Sequence, residues 1–359
     1  CLWPSEYTDF CVKNSSYNGD IVKEVSDECH KQGMDFGVYL SPWDMHDERY
    51  GTDAYNDYFC NQLTELLTNY GEIFEVWFDG AKGSNAKKFE YDWQRYYDLI
   101  RKLQPKANIA ICGPDIRWVG NEGGKSRKSE YSVVPCALRE ADRIMALSQQ
   151  DENQASSLQK YNQMDEDLGS RKILEKNAYL CWFPAEVDVS IRKGWFFHEK
   201  DNRNSKSAKK LFKIYLNSVG NNCTLLLNIP PNAQGEIHKK DVKNLEKLGK
   251  MINNITQNPI VYQELGELTK DNGFIDFTFN DVRKVNYVVL QEDVANSQRV
   301  ELFDLYIQKA NGKFKRVYKG TVIGAKKIVN LKGKKAKGIR FVIRQSRSTP
   351  IIKSVGIYE

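Results

Sequence analysis

The chain has 359 residues, 41% of them hydrophobic, and carries 53 basic against 47 acidic side chains, for a net charge of +6. That length can bury a full core and is too long for one small domain, and no stretch reaches the ~20 apolar residues of a membrane-spanning helix. The two signs of charge are interspersed, which disfavours nucleic acid as a partner; the one dense basic run, Lys332–Lys337, predicts a solvated loop.

The first part of the chain alternates between amphipathic helices and short apolar strands. Asp20 can cap the first helical pattern and Asp53 opens the second, while Gly33, Gly71 and Pro105 separate the first three helical patterns from the strands that follow. This order predicts parallel strands joined by crossover helices, hence an α/β fold that is either a (β/α) TIM-like barrel or a doubly wound open sheet. The predicted strands are 36–40, 73–78, 108–112, 179–183 and 224–229, and the predicted helices begin at Asp20, at Asp53, near 88 and near 238.

A closed (β/α) barrel needs eight strands, and only about five are predicted before residue 257. We therefore expect the first two or three strands to lie upstream of Cys1; an open sheet is the alternative. The chain starts without an initiator methionine or an apolar leader, so we expect it to be part of a longer natural protein whose signal peptide, if it has one, lies upstream.

The pattern changes twice further along the chain. Residues 123–178 are polar and weakly periodic, which predicts a long excursion over the surface or a lid. Asn258–Pro259 is a plausible boundary, and beyond it apolar and polar residues alternate as in strands, with a hairpin turn at Asn311–Gly312. We therefore predict a (β/α) barrel domain over 1–257 and a β-sandwich domain over 258–359.

Cysteine and histidine form no pattern typical of a metal site. The eight cysteines include no C-x-x-C pair, and the four histidines have no H-E-x-x-H spacing. A disulfide framework, a zinc cluster and a metallohydrolase are therefore disfavoured, and no cofactor or metal is expected. Cys112, Cys181 and Cys223 lie in or beside apolar runs, so we expect them to be small buried side chains.

The run Ile73–Gly80 carries the first candidate for chemistry. It is apolar, has the length of a strand and ends in Asp79, and the carboxyl ends of barrel strands are where such folds keep their active sites. Trp77 leaves the strand on the same side as Asp79, and an aromatic ring beside a carboxylate suits a sugar. The alternatives are a simple Asp-Gly turn and ordinary packing of Trp77.

A glycosidase needs a second carboxylate, and the chain offers two. Glu122 lies between glycines in a loop, where Trp118 could raise its pKa by desolvation; a solvated surface acid is the alternative. Glu186 is the rival acid. It shares one face with Asp188 if that segment is extended, and Arg192 could pair with either of them and make both structural.

Four segments in the same order resemble the α-L-fucosidases of glycoside hydrolase family 29. They are Val76–Ala81, Gly113–Glu122, Pro184–Arg192 and Leu225–Asn232. The Trp-Val-Gly-Asn-Glu form resembles the subgroup that prefers α-1,3/1,4-linked fucose in branched, Lewis-type glycans. The resemblance implies a retaining exo-hydrolase that forms a covalent fucosyl-enzyme, acts on a fucosylated oligosaccharide or glycoconjugate, and is secreted or periplasmic.

The resemblance also assigns roles to individual residues. Asp79 matches the nucleophile and Glu122 the acid/base, whose carboxyl groups lie about 5–5.5 Å apart in retaining enzymes. A strand with two adjacent histidines precedes the matching segment in the family, so part of the pocket is expected upstream of this chain. The competing hypothesis is an inactive carbohydrate-binding or scaffold protein, which the presence of both acids disfavours. Side chains expected near the bound sugar are Trp77, Tyr39, Arg117 and Trp195.

Overall fold

The computed structural model describes residues 1–81, 89–141, 144, 161 and 165–359. The chain forms two compact units, one of Cys1–Arg117 with Ala137–Lys160 and one of Trp118–Cys136 with Tyr161–Glu359. None of the helices in these ranges is long and apolar enough to cross a bilayer. The predicted boundary at 257/258 stays a sequence-based division, because the second unit contains both α/β elements and the all-β region.

The first unit has the predicted alternation of helices and parallel strands. Its sheet has the order β1-β2-β3, and both neighbouring pairs are parallel. The central strand alternates buried and half-buried positions, so Trp77 and Asp79 emerge at its carboxyl end. The elements are α1 (Ile21–Lys31), β1 (Gly37–Tyr39), α2 (Ala54–Asn69), β2 (Glu75–Phe78), α3 (Trp93–Leu103) and β3 (Asn108–Ile111).

Helix α2 supplies the core of this unit. Its residues Phe59 and Leu63 are fully buried, as the helical spacing predicts, and the ring of Phe59 lies 5.7 Å from that of Phe78 in β2. Helix α1 differs from the prediction. Asp20 caps it by accepting a hydrogen bond from the amide of Lys23, but Val25 on its apolar face is 49% exposed. Its apolar periodicity therefore identified the helix but not the burial of that face.

The second unit begins within a two-residue strand, β4. A sheet with the order β4-β7-β8 contains the parallel pair β7–β8, and a separate antiparallel pair joins β5 to β6. The strands are β4 (Arg117–Trp118), β5 (Val133–Pro135), β6 (Leu180–Trp182), β7 (Ala185–Ser190) and β8 (Thr224–Asn228), and the helices are α4 (Arg171–Leu174), α5 (Ala208–Asn217) and α6 (Lys239–Asn253). The parallel strands of the described residues form separate sheets, so a closed barrel stays a prediction.

Two predictions for this region are wrong. The predicted strand at 179–183 exists as β6, but it pairs antiparallel with β5, so its predicted place among the parallel strands is wrong. The parallel partner of β8 is β7, all six residues of which are buried. The segment 123–178 is not a simple surface excursion, since Glu130 and Ser132 expose at most 2% of their surface. The rest of the predicted excursion or lid, at 142–143, 145–160 and 162–164, lies outside the described residues, as does the predicted start of α3 at residue 88.

The all-β region is one continuous antiparallel sheet with the strand order β12-β11-β13-β10-β14-β9. The apolar–polar alternation predicted beyond Asn258–Pro259 is found in these strands: 274–279 and 285–290 both fall within the single long strand β10, and 339–343 falls within β13. The strands are β9 (Val261–Glu267), β10 (Phe274–Glu292), β11 (Val300–Gln308), β12 (Phe314–Gly320), β13 (Lys327–Ser346) and β14 (Ile351–Tyr358).

The two long strands turn this sheet into a sandwich. The first part of β10 pairs with the second part of β13, and the last part of β10 pairs with the first part of β13. Strands β11 and β12 extend the first pair, while β14 and β9 extend the second, so two layers share β10 and β13. One core joins side chains of both layers, including Phe303, Phe341 and Ile352. The predicted β-sandwich is confirmed.

The basic run Lys332–Lys337 is part of a strand, so the prediction of a loop is wrong. It lies within β13, where Ala336 is 1% exposed and packs in the sandwich core while the lysines point outward. Successive side chains of a strand face opposite sides, so Ala336 faces the core while its neighbours Lys335 and Lys337 face solvent. The hairpin turn at Asn311–Gly312 is confirmed, with Gly312 at a φ of 80°.

Candidate active site

Asp79 lies in the first unit, beside two aromatic rings. Tyr39 at the end of β1 pairs in register with Trp77 of β2, and their rings stack with centroids 5.5 Å apart. The Tyr39 hydroxyl donates to Oδ2 of Asp79 at 2.6 Å, and the amide of Ala81 donates to Oδ1 at 2.7 Å. Each carboxylate oxygen of Asp79 therefore accepts one hydrogen bond that orients the group.

These contacts bear on whether Asp79 only forms a turn. The bond from Ala81 is the one an aspartate makes in a tight turn, but the bond from Tyr39 comes from a neighbouring strand. Burial, and next the bond to Asp79, raise the pKa of Tyr39, so its hydroxyl remains a donor at neutral pH. Tyr39 is nonetheless 53% exposed, and Asp79 is half-buried, so a ligand could reach both groups.

Arg117 differs from the other predicted sugar contacts. Its side chain exposes no surface and is among the largest fully buried side chains of the protein. A direct contact between its guanidinium and a sugar would therefore require the residues around it to move. A structural role for this charge is the simpler account of its position, and its assignment to the sugar site stays a prediction.

Glu122 lies in the second unit, on a loop with a defined backbone. Gly120 and Gly124 have φ values of 94° and 69°, which residues other than glycine rarely adopt. Asn121 fastens the loop, because its side chain accepts from the amide of Gly123 and donates to the carbonyl of Lys125. Glycines on both sides of Glu122 thus set the backbone conformation of its loop. The Glu122 side chain is exposed.

Trp195 contacts this acid directly. Its indole Nε1 donates to Oε2 of Glu122 at 3.2 Å. Asn228 at the end of β8 donates to the carbonyl of Trp195 at 2.9 Å and to the hydroxyl of Ser190 at 3.0 Å. Because Ser190 and Asn228 are paired residues of β7 and β8, the ends of two parallel strands hold the Trp195 loop. Asn228 was not among the site residues predicted from the sequence, although it ends an apolar strand as Asp79 does.

Trp118 does not have the role predicted for it. Its indole donates to Oδ1 of Asp188 at 2.9 Å, whereas Glu122 is exposed and bonded to Trp195. The pairing arises because the amide of Val119 donates to a backbone carbonyl of β7, which sets the preceding tryptophan against that strand. Desolvation of Glu122 by Trp118 is therefore not found.

The rival acid, Glu186, lies inside β7 and is 2% exposed. The predicted pairing of Arg192 with Glu186 or Asp188 is wrong. Arg192 instead forms a fully buried ion pair with Asp241 of α6, at 2.8 Å. Since a general acid has to reach the substrate, the exposure of Glu122 favours it over the enclosed Glu186.

The described residues contain no group of three or more His, Cys, Asp or Glu side chains placed to hold a metal ion. All eight cysteines are free thiols. Cys112, Cys181 and Cys223 are buried, at 0%, 9% and 9% exposure, which confirms their predicted part in packing.

The structure brings the predicted residues together as two clusters, one in each unit. The first unit joins Asp79 to Tyr39 and Trp77, and the second joins Glu122 to Trp195. An oriented carboxylate beside stacked aromatic rings can act as a nucleophile or base toward a ring-shaped polar ligand. An exposed carboxylate that accepts one indole bond can exchange protons with water or a ligand.

Comparison with known proteins identifies relatives along the whole chain. A family model described as Alpha-L-fucosidase matches residues 1–256. Alpha-L-fucosidase 1 of Arabidopsis thaliana is 35% identical over 394 residues, an alignment that covers 100% of this chain and 73% of the plant protein. The crystal structure of a putative alpha-L-fucosidase from Bacteroides ovatus has 42% identity and a TM-score of 0.89, and covers 100% of this chain.

A further solved structure contains a sugar. A glycoside hydrolase family 29 fucosidase from Ruminococcus gnavus, in complex with fucose, is 28% identical with a TM-score of 0.82; the match covers 100% of this chain and 80% of that one. The chain spans less of the Bacteroides ovatus protein, 61% of its length. The similarity thus extends over all of this chain and over only part of some relatives.

Proposed function

Because the chain belongs to the alpha-L-fucosidase family of glycoside hydrolases, we propose that its protein releases terminal α-linked L-fucose from glycans. One observation carries the proposal: the Asp79 carboxylate is oriented by two hydrogen bonds next to the stacked rings of Tyr39 and Trp77. Fucose is a 6-deoxy sugar, and its apolar C–H groups suit an aromatic surface while its hydroxyls suit the polar groups beside it.

The proposed reaction is a double displacement. Asp79 attacks the anomeric carbon as Glu122 gives a proton to the departing glycosidic oxygen, so the C–O bond to the leaving group breaks while a covalent fucosyl-aspartate forms. Glu122, now ionised, removes a proton from water, which attacks the same carbon and frees Asp79. Two inversions at one carbon give net retention of configuration.

The neighbours of the two acids have supporting roles in this scheme. Tyr39 and the amide of Ala81 leave the Asp79 carboxylate little rotational freedom, which favours an attack in line with the departing oxygen. Trp195 donates to one oxygen of Glu122 and leaves the other available for proton transfer. The exposure of Glu122 lets water replace the leaving group between the two steps.

The test of the activity is hydrolysis of 4-nitrophenyl α-L-fucoside by the protein and by two variants. Asp79→Ala removes the nucleophile and should lower turnover by at least about 1,000-fold with the fold intact. Asp98→Ala removes an exposed carboxylate from α3 of the same unit and should leave turnover unchanged. Near-normal turnover of the Asp79 variant would exclude the proposed nucleophile.

The stereochemical course is a separate test. Proton NMR during the first minutes of hydrolysis distinguishes the two anomers of free fucose before they equilibrate. The α-anomer should appear first if Asp79 forms a covalent intermediate, because two displacements restore the original configuration. First appearance of the β-anomer would contradict the double displacement even in an active enzyme.

The finer parts of the proposal rest on the resemblance of the segment Trp118–Glu122 to one subgroup of the family. We propose a preference for α-1,3/1,4-linked fucose in branched glycans and, on family resemblance alone, a (β/α) barrel and a secreted or periplasmic location. Rates on fucosyl-oligosaccharides of defined linkage test the preference, and equal or faster release of α-1,2-linked fucose would contradict it. Binding without release of fucose would instead support the carbohydrate-binding alternative.

A further inference from the structure

A cavity lies within the second unit, away from the residues discussed so far. It has a volume of about 770 Å³ and lies between helix α5, the segment at 128–129 and strands β12 and β13 of the sandwich. The described residues that line it include no aspartate or glutamate. Its five basic side chains are Lys128, Lys209, Lys213, Lys319 and Lys327. We call this cavity the lysine cleft.

The position of Lys327 indicates a positive potential at the inner wall of the lysine cleft. The side chain is 3% exposed, and its ammonium donates to the carbonyl of Lys128 at 3.3 Å and to Oδ1 of Asn221 at 2.8 Å. These acceptors use two of its three N–H groups, and no partner for the third is found among the described residues. Burying an ammonium group without a countercharge is unfavourable, so an anion in the cleft would stabilise it.

In the described part of the chain, the four outer lysines also have no countercharge. None of them forms an ion pair with a carboxylate among the described residues. Lys209 and Lys213 are four residues apart in α5 and therefore lie on the same face of that helix, which is the face that lines the cleft. Several like charges around one concavity raise the local concentration of anions.

The rest of the lining suits a sugar. Tyr287 and Tyr318 are half-buried, and burial raises the pKa of both hydroxyls, which keeps them neutral. Phe212 packs edge-on against Tyr287 with ring centroids 6.1 Å apart. Ser129 and Thr321 share a hydrogen bond of 2.7 Å at the wall. A pyranose packs its C–H groups against aromatic rings, and its hydroxyls form hydrogen bonds with hydroxyl and amide groups. The lining of the cleft offers both kinds of group.

We propose that the lysine cleft binds an anionic oligosaccharide, one that carries carboxylate or sulfate groups. The volume lies within the range of small-molecule sites and is sufficient for a short glycan. A nucleic acid fits the geometry less well, because its evenly spaced phosphates need an extended basic track and exposed stacking rings. The site is independent of the proposed hydrolysis, since none of its lining residues belongs to the clusters around Asp79 and Glu122.

Calorimetric titration of the full chain at low salt tests the proposal. Trigalacturonate supplies carboxylates only, a sulfated carrageenan tetrasaccharide supplies sulfates only, and maltotriose is the neutral control. We expect binding of at least one anionic probe and none of maltotriose, and the two anionic arms tell which group is preferred. Asp79→Ala should bind the same probe equally well, so a failure of the proposed hydrolysis would not affect the result.

Two charge reversals in α5 locate the site. Lys213→Glu lies in the lysine cleft and should weaken binding about five- to thirty-fold, because one attraction becomes a repulsion. Lys210→Glu makes the same charge change at an exposed position of the same helix outside the cleft, and should leave binding unchanged. Circular dichroism verifies that both variants fold.

Three results would overturn the proposal. The first is no binding of either anionic probe, and the second is an equal loss in the two charge reversals, which would reflect net charge alone. The third is tighter binding of single-stranded DNA of comparable charge than of either glycan, with the same dependence on Lys213, which would assign the cleft to nucleic acid instead.

Discussion

The buried ammonium of Lys327 makes a quantitative prediction about stability. Burial lowers its pKa from 10.5 to about 8. Between these two values the unfolded chain keeps a proton that the folded chain has lost, so the folded state gains stability as the pH rises. Below pH 8 both states hold the proton, and the group contributes no pH dependence. The free energy of unfolding should therefore rise with pH above about pH 8, and not below it.

The size of the gain follows from the same two values. At 1.36 kcal/mol per pH unit, and allowing for partial titration at both ends, the free energy of unfolding should rise by about 2 kcal/mol between about pH 7 and pH 9.5. Other groups titrate in this range too, so the quantity to measure is the difference between the protein and Lys327→Met, in which their contributions cancel.

Urea denaturation followed by circular dichroism gives that difference. The variant also loses the bonds to Lys128 and Asn221, but this loss is nearly the same at every pH and shifts its stability curve by a constant. Lys210→Met, at an exposed site, should keep the pH dependence of the unmodified protein. Parallel stability curves for the protein and Lys327→Met from pH 7 to 9.5 would refute the reasoning, because burial would then not perturb the group.

Three further predictions concern single contacts. Asn228→Ala frees the carbonyl of Trp195 and should lower turnover on an aryl fucoside about ten-fold with little change in melting temperature; unchanged turnover would show that Glu122 needs no such support. Arg192→Met leaves Asp241 buried and unpaired, and should cost about 3–5 kcal/mol in chemical denaturation, a loss that a wild-type midpoint would contradict. Phe303→Ala empties part of the sandwich core and should cost about 3–5 kcal/mol by the same measurement; a cost under about 1 kcal/mol would mean that the core closes around the gap.

Several features of the protein could be predicted from the sequence because they depend on periodicity within one segment. Helix α2 buries the residues that its spacing puts on one face, and the apolar run before Asp79 forms a buried strand. The helix cap at Asp20 and the turn at Gly312 depend on the chemistry of a few adjacent residues, and both were predicted. The order of four motifs likewise identified the family without any coordinates.

Other features depend on which segments meet, and a local pattern does not contain that information. The run 179–183 and β7 are both extended, and β7 is the more polar of the two, but only the partner strands decide which of them enters the parallel sheet. The lysines of 332–337 occupy a strand because β10 supplies hydrogen bonds to that backbone. Three acids, Glu186, Asp188 and Asp241, lie close to Arg192 in sequence or in space. The packing of α6 determines that Arg192 pairs with Asp241.

The same division holds for the candidate site. The sequence singled out Asp79 and Glu122 as candidates, with Glu186 as the rival acid, because an acid after an apolar strand and an acid between glycines are visible as local patterns; the choice between the two glutamates came from the family resemblance. Only the fold brings the Tyr39 hydroxyl to Asp79, the Trp195 indole to Glu122, and Lys327 into a cleft whose described lining has no acidic side chain. Hydrogen bonds and buried charges between residues far apart in sequence exist only once the strands have paired, so tertiary structure decides them.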